Sequence, residues 1–271
     1  MADKIRRPVV SGTFYPFSKA SLDRMLSRLF DGVPRNNFVF VVSPHAGYEY
    51  SGRTAAFAIS SLKSAKNFII LGPNHNAIGH EFAIVSSGSW ETPLGNADID
   101  TSLAKELLKC DVLIEDELGH AHEHSIEVQL PFLKRLFAGF KFVPISISNI
   151  DYSSEFLSQC ETLGKQIAKT IRGKNIGVIA SSDFSHYLPA KIADSKDAKA
   201  IEMIKKLDPK GFFETLEEID ASVCGYGPIA VLMYAAKNLG MKSVEVVNHT
   251  NSGDGTGDYS SVVAYYAIGF R

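Results

Sequence analysis

The chain has 271 residues, of which 45% are hydrophobic and 21% are charged, a composition typical of an ordinary folded protein. Lysine and arginine (28 residues) nearly balance aspartate and glutamate (30 residues), which leaves a formal net charge of -2. This balance excludes the strong positive field with which proteins hold nucleic acid or an anionic membrane, so we expect neither as a partner.

No long apolar run follows the charged N-terminal residues, so we predict neither a signal peptide nor a membrane-spanning helix. We therefore expect a cytoplasmic protein. The length suits one large α/β domain that spans residues 1–271, and the sequence leaves its oligomeric state open. Three widely spaced cysteines without a C-x-x-C pair argue against a disulfide framework.

The first half of the chain alternates helical and strand patterns. Ser18 is the predicted N-cap of a first helix. Residues 38–43 form an apolar run that predicts a strand buried on both faces, and residues 67–71 predict a second such strand. Helix-compatible residues 54–62 separate the two strands, and this βαβ order predicts parallel pairing.

A capping residue and two prolines mark the predicted elements in the middle of the chain. Asp100 is a predicted cap for a helix over 101–109. Pro131 is expected to kink or break the apolar segment within 117–136, and Pro144 indicates an edge or a bulge in the strand 141–148. The remaining predicted elements are strands over 81–85, 176–181, 243–247 and 261–268 and helices over 155–171, 193–206, 209–217 and 229–239.

Three of the apolar strands end in loops that carry histidine. His45 follows the first strand, His75 follows the second, and His186 follows residues 176–181. In open α/β sheets, ligands bind at the carboxyl ends of the strands, where such loops converge. The sequence therefore predicts one site at this edge of the sheet.

A metal site made of His45, His75 and Cys224 is the sharpest interpretation of these loops. Two imidazoles and one anionic ligand leave coordination positions open for a substrate or for oxygen. Cys224 lies in a glycine-rich turn before an apolar helix, where backbone N–H groups favour a thiolate. The alternative is that the histidines are polar loop residues whose hydrogen bonds are satisfied by the backbone.

Asp183 and His186 are three residues apart and share a face if the turn is helical. The carboxylate then fixes the imidazole tautomer while His186 transfers protons, so we predict these two as the catalytic pair. Two alternatives remain for Asp183, which is either a metal ligand itself or a structural cap.

His120, His122 and His124 alternate along the chain. In a strand they point the same way and chelate a metal such as zinc. The alternative is that this stretch is a loop that lines the main pocket, with Glu123 and His124 in contact with the ligand or supporting the metal ligands. The chain has neither a G-x-S-x-G elbow nor an H-E-x-x-H motif, so serine hydrolase and zincin activities lack their usual support.

Five motifs in one order make the chain resemble the Memo family over nearly its whole length. They are Pro-His-Ala-Gly-Tyr at 44–48, Leu-Gly-Pro-Asn-His at 71–75, Glu-His-Ser-Ile-Glu at 123–127, Ser-Ser-Asp-Phe-Ser-His at 181–186 and Cys-Gly-Tyr-Gly-Pro-Ile at 224–229. Memo proteins share a fold with class III extradiol dioxygenases. The resemblance therefore implies a three-layer α/β/α fold with a mostly parallel central sheet.

The resemblance also implies roles for individual residues. His45, His75 and Cys224 match the Memo metal ligands, and Asp183 and His186 match its other pocket residues. The position of His186 is similar to that of the acid–base histidine of the dioxygenases. We further expect four residues to line the pocket, namely Tyr48, Asn74, Glu123 and His124.

Cys224 stands where the dioxygenases carry a glutamate ligand. A thiolate favours softer ions such as Cu(I) and is itself oxidisable, which argues against ordinary ring cleavage. We expect Fe(II) or copper as the cofactor, with zinc as an alternative, and iron- or copper-dependent redox chemistry as the function. The main alternative is a non-catalytic module that binds a small molecule or a peptide in the same pocket, and a third is that the histidines are retained without use.

Overall fold

A computed structural model describes residues 4–271, and Met1–Asp3 lie outside the described residues. The strands are β1 (Ile5–Arg6), β2 (Phe40–Ser43), β3 (Asn67–Pro73), β4 (Phe82–Ile84), β5 (Ser89–Trp90), β6 (Ala97–Ile99), β7 (Ile114–Glu115), β8 (Lys141–Ile147), β9 (Ile176–Ser181), β10 (His186–Leu188), β11 (Val244–Asn251) and β12 (Val262–Phe270). The helices are α1 (Lys19–Leu29), α2 (Tyr48–Ser61), α3 (Thr101–Leu107), α4 (Leu118–Ala121), α5 (Leu130–Leu136), α6 (Ser154–Ile171), α7 (Ala190–Lys205), α8 (Pro209–Glu218), α9 (Tyr226–Leu239) and α10 (Gly253–Thr256).

The described strands join in one large sheet with the order β1-β5-β6-β8-β3-β9-β2-β12-β10. The run from β6 through β8, β3 and β9 to β2 is parallel throughout, whereas β12 pairs antiparallel with β2, β10 and β11. The predicted α/β class with a mostly parallel central sheet is therefore confirmed.

Alternating apolar residues explain why both faces of the sheet are covered. Phe40 and Val42 of β2 belong to one core cluster, whereas Val41 between them belongs to another on the opposite face. Helices α3, α6, α7, α8 and α9 contribute to the first cluster, and α1, α2 and α5 contribute to the second. The predicted three layers are confirmed by this division.

The predicted caps of two helices form as expected. The side chain of Ser18 accepts a hydrogen bond from the backbone of Ser21, and Asp100 accepts one from Leu103. Helix α2, in contrast, begins at Tyr48 and not near residue 54, so a helix starts immediately behind the His45 loop.

The two proline predictions in the middle of the chain have different outcomes. Pro131 occupies the first turn of α5, where a missing N–H costs nothing, and the apolar segment changes there from a 3₁₀ helix over Glu127–Gln129 to α5, which agrees with a break at Pro131. The prediction for Pro144 is wrong, because Pro144 lies within the interior strand β8. There Pro144 pairs with Ile70 of β3 on one side. On the other side it lies between the residues of β8 that pair with β6 and those that pair with β4, so a proline fits without the strand being at the edge of the sheet.

Three neighbouring strands set the position of the functional loops. β9 lies between β3 and β2 and is parallel to both, so the carboxyl ends of all three meet at one edge. Within residues 4–271, no helix combines the length and the apolarity needed to cross a membrane.

Candidate metal site

The loops after β2, β3 and β9 bring His45, His75 and Asp183 together, as the parallel register requires. Cys224 reaches the same point from the loop between α8 and α9. The ligand atoms of His45, His75 and Cys224 lie within 4.8 Å of one another, and the His45 Nε2 is 3.2 Å from the Cys224 Sγ. The residues predicted as metal ligands therefore form one group of possible ligands.

Hydrogen bonds around Ser181 fix the tautomer of His45. The Ser181 hydroxyl donates its single hydrogen to the Ser125 carbonyl and accepts a hydrogen bond from the Gln129 amide. The His45 Nδ1, 2.9 Å from the Ser181 Oγ, must therefore be the protonated nitrogen that donates. Burial, together with the charges of His75 and His124, holds the His45 pKa well below its ordinary value. The ring is thus neutral, and its Nε2 lone pair faces the Cys224 sulfur.

The Glu123 carboxylate fixes the tautomer of His75, as Ser181 does for His45. The Nδ1 of His75 lies 3.0 Å from the Glu123 Oε1, and the backbone N–H of His75 donates to the Glu123 Oε2. The carboxylate also accepts hydrogen bonds from the backbones of His124 and Ser125. Burial would lower the His75 pKa, but the hydrogen bond and the charge of Glu123 outweigh it and raise the pKa. Because Nδ1 donates to Glu123, Nε2 is the nitrogen left for a metal, and the carboxylate makes it a stronger ligand.

Cys224 is held against the end of β9 by close backbone packing. Its Sγ accepts a hydrogen bond from the Asp183 N–H at 3.1 Å, and its own N–H donates to the Asp183 carbonyl. The next residue, Gly225, lies so close to β9 that an added Cβ would overlap the carbonyl oxygen of Ser181. Only a glycine allows the loop to approach in this way.

The expected thiolate at Cys224 is not what this environment favours without a cation. Burial, followed by the nearby Asp183 charge, raises the Cys224 pKa well above its ordinary value. Cys224 therefore keeps its proton in the protein alone. A bound metal ion would remove that proton, because metal binding by cysteine requires the deprotonated sulfur.

Asp183 and His186 both reach the site, but not in the predicted arrangement. His186 begins β10 and is not on a helical turn, and its Nδ1 lies 2.7 Å from the carbonyl of Ser222. That carbonyl accepts the Nδ1 proton, so Ser222 and not Asp183 fixes the tautomer of His186. The Asp183 Oδ1 instead accepts the backbone N–H of His45 at 2.9 Å, and burial raises the Asp183 pKa to about 7.

The ligand atoms of Asp183, His186 and Cys224 nevertheless lie within 4.8 Å of one another. Burial lowers the His186 pKa below its ordinary value, so the imidazole is neutral at pH 7. With Nδ1 donating to Ser222, its Nε2 can accept a proton.

The three alternating histidines do not form a chelating strand. Residues 118–121 are the short helix α4, which separates the rings. His120 is buried beneath a different cavity, His122 is exposed, and His124 stacks on His75 with ring centroids 4.9 Å apart. The strand interpretation is therefore wrong, and the stretch contributes Glu123 and His124 to the main site.

Two residues that we expected to line the pocket are buried, and their side chains form hydrogen bonds with nearby backbone groups. The Tyr48 hydroxyl donates to the Val128 carbonyl, and the ring is buried in the core. The Asn74 side chain donates to the Ile78 carbonyl and accepts from the Asn76 backbone, so it shapes its own loop.

The supporting residues Gln129 and Ser222 were not found from the sequence. Gln129 links the loops, because its amide donates to the Pro44 carbonyl and to Ser181 and its oxygen accepts from Ser43. A polar Gln inside the apolar segment 126–133 is the one signal that pointed to such a role. Ser222 carries no comparable signal.

Taken together, the fold and this group of side chains define a mixed α/β protein with a candidate metal site of two histidines and one cysteine. A family model described as Memo-like protein matches residues 6–269. The chain therefore belongs to the Memo family, as its five motifs predicted.

Archaeal relatives match the chain from end to end. A MEMO1 family protein of Methanosarcina barkeri is 42% identical over 268 residues, which cover 97% of this chain and 99% of that protein. A MEMO1 family protein of Nitrosopumilus maritimus is 40% identical over 279 residues, with 98% and 99% covered. The solved structure of uncharacterized protein JW3007 from Escherichia coli K12 covers 86% of this chain and 99% of its own, with a TM-score of 0.59 and 13% identity, and it shows the shared fold alone.

Proposed function

We propose that this chain is a metal-dependent redox protein whose pocket is related to that of the non-haem dioxygenases. The observation that carries the proposal is the convergence of ligand atoms from His45, His75 and Cys224 within 4.8 Å. These residues come from three separate loops, so packing of one local segment does not explain their meeting.

The donor set fits a soft or borderline transition metal. The Nδ1 of each ring is committed, that of His45 to Ser181 and that of His75 to Glu123, which leaves both Nε2 atoms for a metal. One thiolate and two imidazoles suit copper, iron and zinc better than magnesium or calcium, which prefer oxygen ligands. We propose Fe(II) or copper as the cofactor, which when bound supplies one-electron and oxygen chemistry, and we keep zinc as the alternative.

The other polar residues of the pocket have separate tasks in this proposal. His186 accepts a proton from the bound molecule at Nε2, because Ser222 holds the opposite nitrogen protonated. Asp183 does not orient His186. It holds the His45 backbone through its carboxylate and the Cys224 sulfur through its own N–H, and so fixes the spacing of two ligands.

Metal analysis after anaerobic purification tests the ligand set. The wild-type protein should retain close to one equivalent of iron or copper by mass spectrometry, and Cys224→Ser should lose most of it. Cys110→Ser is the matched control, because Cys110 is buried away from the site. Equal metal retention in wild type and Cys224→Ser would remove Cys224 from the ligand set.

Oxygen consumption tests the redox step separately. The metal-loaded protein should consume oxygen above the free-metal background with at least one member of a panel of catechols and thiols. His186→Gln should retain the metal but lose the uptake. A loaded protein that binds panel members without consuming oxygen would instead be a binding module that uses the same pocket.

A further inference from the structure

The loop after β8 is a fourth strand-end loop at the edge of the sheet that carries the metal site. β8 is parallel to β3, and β3 is parallel to β9, so residues 148–152 leave the sheet at the same edge as the loops of His75 and Asp183. The sequence gave no reason to include residues 148–152 in the site. Their contacts nevertheless lead directly to one of the metal ligands.

This loop packs along the segment that carries Cys224. The Asn149 side chain donates a hydrogen bond to the Cys224 carbonyl and accepts one from the Gly227 N–H at 3.1 Å. Two residues further on, the Asp151 carbonyl accepts a hydrogen bond from the Tyr226 hydroxyl at 3.2 Å. The two loops are therefore joined at several points, and Asn149 makes the contact with Cys224 itself.

The Cys224 carbonyl needs a donor from outside its own segment. In a helix, this carbonyl would accept the N–H of the residue four positions ahead, but that residue is Pro228, which has no N–H. The Asn149 amide takes the place of the missing donor. The orientation of the Cys224 peptide group thus depends on a side chain from a different strand-end loop.

The same amide caps helix α9. The N-cap residue of α9 is Gly225, which has no side chain that could accept a hydrogen bond from the first turn. A longer residue cannot replace it, because an added Cβ would overlap the Ser181 carbonyl. Asn149 supplies the missing acceptor to the Gly227 N–H. One side chain therefore fixes both ends of the short link between Cys224 and α9.

The contact with Asn149 completes the restraints on Cys224. Its N–H donates to the Asp183 carbonyl, and its Sγ accepts the Asp183 N–H and lies 3.2 Å from the His45 Nε2. The carbonyl is the remaining polar group of this residue, and Asn149 holds it. A rotation of this peptide group would carry the sulfur away from the His45 imidazole.

We propose that Asn149 is a positioning residue for metal binding, which holds the Cys224 sulfur where it and the His45 Nε2 can bind one ion. The inference rests on the proposed function only in taking Cys224 as a metal ligand. It is independent of any oxygen chemistry at the site.

Titration of the metal-free chain with Co(II) tests this role, because a cobalt–thiolate bond gives a charge-transfer absorption band in the near ultraviolet. The wild type should show this band, and Cys224→Ser should lose it. Asn149→Leu has a similar shape but can neither donate nor accept a hydrogen bond. It should bind Co(II) roughly tenfold more weakly and show a weaker band at saturation.

Asn149→Ser is a second variant that keeps a polar side chain in the loop. Its hydroxyl is too short to reach both the Cys224 carbonyl and the Gly227 N–H, so it should weaken Co(II) binding in the same direction. Far-UV circular dichroism checks that each variant is folded before the titration.

Asp208→Leu separates positioning from helix capping. Asp208 caps the neighbouring helix α8 by accepting the Gly211 N–H, so its loss should lower the melting temperature but leave the Co(II) affinity and the band unchanged. If Asp208→Leu weakened Co(II) binding as much as Asn149→Leu, a general loss of stability would explain the effect and the proposal would be overturned.

Two further outcomes contradict the proposal in different ways. Wild-type Co(II) affinity and an unchanged band in folded Asn149→Leu or Asn149→Ser would overturn the positioning role alone and leave the ligand set intact. A wild-type chain without a band that depends on Cys224 would overturn the ligand set of the proposed function together with this inference.

Discussion

The Nδ1 of His45 lies 2.9 Å from the Oγ of Ser181, and this contact decides which ring nitrogen faces Cys224. Ser181→Ala removes the acceptor, so the ring loses both its fixed tautomer and its orientation. We predict that the affinity for the bound metal falls roughly 10- to 100-fold, the usual effect of losing such a partner. Competition with a chromogenic chelator measures the change.

Ser60→Ala is the matched control for this variant. Ser60 is also a buried serine, and its hydroxyl donates to the Pro34 carbonyl far from the site. Equal metal affinities for Ser181→Ala and Ser60→Ala would mean that Ser181 does not position the ligand.

Gly225→Ala should separate the Cys224 loop from the end of β9. The new Cβ would overlap the backbone oxygen of Ser181 and approach the Cβ of Ser182 to 2.5 Å, and the backbone oxygen cannot give way. We predict a loss of about 1–3 kcal/mol in the free energy of unfolding of the metal-free chain and weaker metal binding. Urea denaturation measures the loss in the free energy of unfolding. Gly255→Ala is the control, because the added Cβ would meet its nearest atom at 3.6 Å.

Glu127 anchors the N-terminal strand to the segment that follows the histidine loop. Its buried carboxylate pairs with Arg6 and accepts hydrogen bonds from the backbones of Val9 and Val10 and from the Tyr15 hydroxyl. Glu127→Gln leaves Arg6 without its partner, so we predict a loss of about 3–5 kcal/mol in the free energy of unfolding.

An exposed ion pair supplies the comparison for Glu127. Glu202 pairs with Lys206 at the exposed C-terminal end of α7, and Glu202→Gln should lower the free energy of unfolding far less than Glu127→Gln does. Chemical denaturation of Glu127→Gln, Glu202→Gln and the wild type at one pH measures the loss in the free energy of unfolding for each variant. A similar small loss in both would show that the buried carboxylate contributes no more than a surface pair.

Asp197 should make the stability of the protein depend on pH. It is fully buried and accepts hydrogen bonds from Ser185, and burial raises its pKa from the ordinary 3.8 to about 7. Between these two values the unfolded chain has lost this proton while the folded chain keeps it. The free energy of unfolding therefore falls as pH rises, by up to about 1.4 kcal/mol per pH unit, and no further above pH 7.

Asp197→Asn should remove this contribution, because the amide accepts the Ser185 hydrogen bonds without titrating. Its free energy of unfolding should decline less than that of the wild type between pH 5 and pH 7, as measured by urea denaturation at several pH values. Parallel pH profiles for the two proteins would place the folded-state pKa of Asp197 near its ordinary value.

The sheet and the strand-end histidines were predictable because their signal is local. Each long apolar run marks a buried strand, and parallel strands put the residues that follow them at one edge, which is where His45 and His75 lie. Cys224 was different. It was assigned to the site from its glycine-rich turn before an apolar helix, and the family resemblance supported this, since no strand pattern leads to the loop between α8 and α9.

The supporting contacts were not predictable because they join segments far apart in sequence. Ser222 bonds His186 and Gln129 bonds Ser181 only after the loops have packed. The polar Gln129 inside an apolar segment indicates a buried role but not its partners, and Ser222 carries no signal at all. The alternation of His120, His122 and His124 led to a wrong prediction for a different reason, because residue spacing alone does not reveal that this segment contains a short helix.

Arg6 ties the histidine loop to the start of the chain, since it donates to the carbonyls of His120 and Glu123 and pairs with Glu127. At the other end of the chain, β12 pairs with both β2 and the β10 strand that begins at His186. The strands behind His45 and His186 therefore reach their final places only when residues 262–270 pair with them, so the pocket depends on segments from both halves of the chain.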